Sequence, residues 1–122
     1  MKISEAESRI MDVLWEKSPR TADDIAEIVG PTQSWTMATV KTLLNRLMKK
    51  EAISAEKQGR KFHYSPLLSA EAYKRAESQS FLDRMFDGKF SSMVTHFSSS
   101  QDLSADDVSA LKDILKRLED DQ

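Results

Sequence analysis

Residues 34–66 hold most of the side chains that could do chemistry. Seven cations stand there, Lys41, Arg46, Lys49, Lys50, Lys57, Arg60 and Lys61, against the carboxylates Glu51 and Glu56. Such local positive density is what meets phosphates. Small and hydroxylated residues come just before and among these cations: Thr36, Ala38, Thr39 and Thr42. Small residues let a helix approach base edges closely, and threonine can offer both a methyl and a hydroxyl there. The net charge of −2 hides this concentration. Residues 1–70 carry 11 Lys/Arg against 9 Asp/Glu, and residues 71–122 carry 7 against 11. A basic cluster alone is most often a solvated face, so its surroundings must decide.

Other chemistries have little material. The absence of cysteine removes disulfides, thiolate metal sites and cysteine nucleophiles. The two histidines, His63 and His96, lie far apart in sequence and make neither a nucleophile arrangement nor a metal set on their own. Gly30, Gly59 and Gly88 are not spaced for a phosphate loop. No enzyme activity, cofactor or metal site is expected. No apolar run approaches the roughly 18 residues of a membrane span. The N-terminal stretch has no apolar signal core, so a cytoplasmic protein without membrane insertion is expected. With 122 residues there is room for one domain, or for a small domain plus an oligomerisation element.

Capping signals mark the elements that must position the cations. Ser4 and Glu7 form a capping box before a helix with Ala6, Ile10, Val13 and Leu14 inward, stopped by Ser18-Pro19. Thr21 and Asp24 open a second helix with Ile25, Ile28 and Val29 inward, and Gly30-Pro31 is expected to end it. A third helix starts near Thr36. Val40, Leu43, Leu44, Leu47 and Met48 share one side of it, opposite Ala38, Thr42, Asn45, Arg46 and Lys49. This is a helix-turn-helix order. Residues 53–57 and 61–65 then read as a ribbon around Gln58-Gly59-Arg60, with Phe62 and Tyr64 packed and Lys61, His63 and Ser65 wet. A grooved-DNA helix beside a cationic ribbon is the outline of a winged-helix DNA reader.

The character changes after Pro66, and two domains are expected, 1–68 and 69–122. Ser69 caps a long helix carrying Tyr73, Ala76, Phe81, Leu82, Met85 and Phe86, and Asp87-Gly88 ends it. A shorter helix carries Phe90, Met93, Val94 and Phe97. Ser98-Ser99-Ser100-Gln101-Asp102 reads as a polar connector. Ser104 and Asp107 cap a last helix with Val108, Leu111, Ile114, Leu115 and Leu118 in a stripe. About 50 residues rarely build a stable core alone. Burial against a second copy is the economical solution, and folding back on the first domain is the alternative. The dimer surface is expected at Phe81, Met85, Phe86, Phe90, Met93, Val94, Phe97, Val108, Leu111, Leu115 and Leu118. The expected fold is mostly α with a small β-hairpin wing, a winged helix-turn-helix plus a C-terminal helical dimerisation domain.

Nearly the whole chain resembles the penicillinase repressor family, the BlaI/MecI/CopY type of bacterial winged-helix repressor. The resemblance is carried by Thr39-Val40-Lys41-Thr42-Leu43-Leu44-Asn45-Arg46-Leu47, Lys49-Lys50 and Gly59-Arg60-Lys61-Phe62-His63-Tyr64-Ser65-Pro66. Ser92-Met93-Val94 and Leu103-Ser104-Ala105-Asp106-Asp107 extend it. It implies a homodimer on palindromic operator DNA, repressing beta-lactam or metal and stress resistance genes. It also implies that Thr36, Ala38, Thr39, Lys41 and Thr42 face bases while Arg46, Arg60 and Lys61 face phosphates. Relatives often have a basic or polar residue where Ala38 stands.

Release divides the family. In the beta-lactam branch a membrane sensor-protease signal leads to cutting at an Asn-Phe bond, and the matching bond here is His96-Phe97. In the copper branch paired Cys-x-Cys motifs exchange metal, a route this cysteine-free chain lacks, although Val40-Lys41-Thr42-Leu43-Leu44 is closest to that branch. Proteolysis, a ligand or another signal all remain open. The rival to the whole reading is a winged helix used for protein–protein assembly without specific DNA contact.

Overall fold

Five of the expected caps close in a computed structural model of the chain, which describes residues 2–100 and 102–121, among them Ser69, whose Oγ accepts from the Ala72 N–H at 3.1 Å. Gln101, part of the expected connector, lies outside the described residues. Ser4 Oγ accepts from Glu7 N while Glu7 Oε1 accepts from Ser4 N, opening α1 (Glu5–Glu16). The same exchange between Thr21 and Asp24 opens α2 (Ala22–Gln33). Thr36 Oγ1 accepts from Thr39 N at the start of α3 (Met37–Lys49). Ser104 and Asp107 open α6 (Ala105–Asp120). Each cap satisfies backbone donors that have no partner inside the helix.

The strands are β1 (Arg20–Thr21), β2 (Ile53–Gln58) and β3 (Lys61–Pro66), in an antiparallel sheet of order β1-β3-β2. Gln58 faces Lys61, so the wing turns on Gly59 and Arg60 alone, with Gly59 at φ 68°. The third strand, β1, was not expected. It adds Arg20 opposite Tyr64 and Thr21 opposite His63.

Two compact units divide between Arg75 and Ala76, inside α4 (Ala70–Phe86). The first has a core of Ile10, Met11 and Leu14 from α1, Ile25 and Val29 from α2, and Val40, Leu43, Leu44 and Leu47 from α3, closed by Ala52 and Ile53. Each large side chain buried there contributes about 1.5–3 kcal/mol. Trp15 Nε1 donates to the Leu68 carbonyl (2.8 Å), and its ring lies 5.5 Å from that of Tyr73, which ties the start of α4 to α1. In the second unit α5 (Phe90–Ser99) and α6 follow the end of α4, with Asp87 and Gly88 both at positive φ.

Three local expectations need correction. Gly30-Pro31 does not end α2, which runs through Pro31 to Gln33 and stops at Ser34 in the left-handed region. Proline this close to a helix end removes only one backbone bond, and Ser34 N–H still reaches the Gly30 carbonyl at 2.7 Å. Ile28 and Met48 are exposed rather than inward. Each sits at the margin of its stripe, about 60–90° from the buried line at 100° per residue. Phe62 is half exposed because it lies one step from the wing tip, past the reach of the helices, whereas Tyr64 packs on the core.

Candidate nucleic-acid interface

The α3 helix presents two chemically opposite faces. Val40, Leu43, Leu44 and Leu47 are buried, and Thr36, Ala38, Lys41, Thr42, Asn45, Arg46 and Lys49 are exposed, with Thr39 half-buried. The buried line fixes the helix, so the outward line is held in a rigid register. Its hydroxyls are already committed in part. Thr36 Oγ1 caps the helix and lies 3.2 Å from Thr39 Oγ1, and Thr42 Oγ1 donates to the Ala38 carbonyl at 2.9 Å. Thr42 therefore offers an incoming group its methyl and an acceptor oxygen, not a free proton.

The seven cations separate into two groups. Among the described residues, Lys41, Arg46, Lys49, Lys57 and Arg60 have no carboxylate within ion-pair distance. These five charges sit on the outer side of α3 and on the wing, available to phosphates. Lys50 belongs to the fold instead. Its Nζ donates to Glu7 Oε1 (2.6 Å) and to the Lys2 carbonyl (2.7 Å), and Glu7 is buried at 1% exposure. Burial would push the Glu7 carboxyl up, but hydrogen bonds from Lys50 and Ser4, with the Lys50 charge, outweigh it and hold the carboxyl below its ordinary value. Lys61 is half committed, 3.1 Å from Asp23 Oδ2 across an exposed gap.

Sequence reasoning missed Glu7 and Asp23 as members of this arrangement. Both pairings cross about forty positions of chain, and only the fold brings them together. Asn45, seen on the outer face but not singled out, is exposed between Thr42 and Lys49 along the same line. It is the one side-chain amide on the exposed face of α3, and an amide can pair bidentately with adenine.

In the second unit Phe81, Met85, Phe90, Phe97, Val108, Leu115 and Leu118 are exposed, while Phe86, Met93, Val94 and Leu111 are half-buried. Between α5 and α6 an open apolar groove of about 430 Å³ is lined by Phe90, Val94, Leu111, Ile114, Leu115 and Leu118, among others. His96 lies between Phe86 and Phe97, ring centroids 5.8 and 5.6 Å away. The His96-Phe97 peptide is inside α5, not in the connector, and the Ser99 and Ser100 hydroxyls donate to the His96 carbonyl at 3.2 and 3.4 Å. Among the described residues there is no helix long and apolar enough to cross a membrane, and no group of three or more acidic, His or Cys residues that could hold a metal.

The comparisons agree with this geometry. The sequence profile of the family described as penicillinase repressor matches residues 3–117. A penicillinase repressor of Bacillus licheniformis is 35% identical over 94% of this chain and 90% of its own length. The methicillin resistance regulatory protein MecI of Staphylococcus aureus (strain N315) is 33% identical over 95% of this chain and 94% of its own. The solution structure of Bacillus licheniformis BlaI, in monomeric form in complex with the blaP half-operator, superposes with a TM-score of 0.53 at 34% identity, covering 60% of this chain and 89% of that one. The match extends over both α3 and the apolar tail, and this chain belongs to the penicillinase repressor family.

Proposed function

We propose that the chain is a DNA-binding transcriptional repressor, not an enzyme, that reads duplex DNA with α3 and grips the backbone with its wing. The observation that carries this is the outward line of small residues on α3, accompanied by five cations with no carboxylate at ion-pair distance among the described residues. The similarity to BlaI solved on a half-operator supports the same reading. Thr36, Ala38, Thr39, Lys41 and Thr42 would approach bases, and Arg46, Arg60 and Lys61 phosphates. The reading units would span residues 1–68, with 69–122 joining two copies on a palindrome in the cytoplasm.

Binding to a palindromic operator against random duplex, across salt, tests it. Arg46→Ala and Arg60→Ala should each weaken binding to every sequence and lower the log–log salt slope by about 0.9. Thr42→Ala should instead relax sequence preference, by up to ~1–3 kcal/mol per lost base contact. Equal affinity for palindrome and random duplex at moderate salt would sink the reading and favour a protein–protein assembly module.

For release, the family's sensor-protease route would act at His96-Phe97 and relieve repression of resistance genes. That peptide is helical, and proteases take extended chain, so the last turn of α5 must first open. A fragment beginning at Phe97 in induced cells supports this route. An intact chain during full induction sends the signal elsewhere, to a ligand or another switch.

A further inference from the structure

We propose that Asp23 is a built-in stand-in for phosphate that occupies Lys61 in the free protein and limits affinity for DNA of any sequence. The proposal rests on the DNA-binding reading and deepens it. Asp23 Oδ2 lies 3.1 Å from Lys61 Nζ, and both side chains are 61% exposed, so the pair is open to exchange. The unexpected strand β1 is what brings them together. Its register sets Arg20 against Tyr64 and Thr21 against His63, and the first turn of α2, which follows directly, carries Asp23 to Lys61.

The N-terminus of α2 adds to the argument. A helix N-terminus with free N–H groups attracts phosphate. Here Asp24 bonds the Thr21 N–H as part of the cap, and Asp23 stands beside it, so this end repels an anion. Asp24 does the capping, which leaves the Asp23 carboxylate with Lys61 as its ion-pair partner among the described residues. When the wing meets the backbone, Lys61 has to leave Asp23, and the abandoned carboxylate then faces the phosphates. Arg60, one residue away, has no such competitor among the described residues. Affinity for every sequence, operator included, is thereby held down by a common factor, while the outward face of α3 is untouched.

Titration of a labelled random-sequence duplex across salt, with Asp23→Asn, Lys61→Ala, the double variant and Arg46→Ala, tests this. Asp23→Asn is expected to tighten binding about two- to fivefold, the range of an exposed pair. It should also steepen the salt slope by up to about 0.9. In the Lys61→Ala background the same change should have less than half that effect. An equal gain in both backgrounds would mean that Asp23 acts only as general negative charge, and the proposal falls. No change for Asp23→Asn while Arg46→Ala weakens binding also overturns it, with the DNA-binding reading intact. If the unaltered chain binds no duplex and Arg46→Ala changes nothing, the underlying reading fails and takes the proposal with it. Thermal melting checks that Asp23→Asn folds, and Asp23→Ser repeats the test if it does not.

Discussion

Lys49 and Lys50 are chemically identical neighbours with opposite surroundings, because one points off the end of α3 and the other back toward α1. Glu7 is the cause. Its carboxylate is buried, one oxygen takes both the Ser4 N–H and the Lys50 ammonium, and Oε2 has no partner. A carboxylate in that setting is costly unless its cation stays in place. Glu7→Gln should therefore destabilise the first unit by about 2–3 kcal/mol at neutral pH, less than a fully buried pair because Lys50 is one-third exposed. The folded carboxyl is held below its ordinary value of 4.5, so its stabilisation is complete above about pH 4.5 and is lost as pH falls through the lower folded value. Thermal melts should show the gap between wild type and Glu7→Gln closing only in that acid range. A gap that stays constant to low pH would remove Glu7 as its source.

At the scale of elements, the close of α3 combines good hydrogen bonding with a poor residue. Glu51 N–H reaches the Met48 carbonyl and Ala52 N–H the Leu47 carbonyl, both at 3.0 Å, with Glu51 at φ 60°. This is a Schellman closure, in which the left-handed position usually holds glycine. Glu51→Gly should stabilise the chain by about 0.5–1 kcal/mol, the left-handed cost less the extra chain entropy of glycine, as read by chemical denaturation. Local signals of this kind were legible in the sequence. The Ser4–Glu7, Thr21–Asp24 and Ser104–Asp107 boxes are three residues apart, and the apolar spacing of α3 names its own buried face. What was not legible depends on distant chain. A two-residue strand such as β1 has no periodicity to read, and it exists only because β3 lies beside it. The continuation of α2 through Pro31 depends on a bond three residues away, from Ser34 to Gly30, which proline's local rule does not include. Of the site, the exposed line of α3 and the basic wing tip could be read directly. The loss of Lys50 to Glu7 and the sharing of Lys61 with Asp23 could not.

For the molecule as a whole, the second unit has more apolar surface than it buries by itself. Phe81, Met85, Phe90, Val108, Ile114, Leu115 and Leu118 are all at least 40% exposed. Exposed apolar area of this kind fits the proposed association of two copies. In the proposed dimer, Leu115→Lys places a charge in the apolar groove of the second unit and should shift sedimentation from dimer to monomer. Affinity for a palindrome should fall far more than affinity for a half-site, because only the linkage of two heads is lost. A wild-type chain that sediments as a monomer at tens of micromolar would overturn the dimer. Stability would also depend on protein concentration if the tail folds against its copy, so melts at two concentrations give an independent check.

The divergence of Lys49 and Lys50 has a consequence for genetics. A loss-of-repression screen will recover changes at both positions and score them alike, yet they are different lesions. Losing Lys50 strands Glu7 and depletes the cell of folded protein. On the proposed reading, losing Lys49 leaves a normal amount of a protein that holds DNA less well. Repressor abundance, measured beside derepression, sorts the two. A neighbouring pair of lysines then becomes an internal control for whether a mutant is absent or merely unbound.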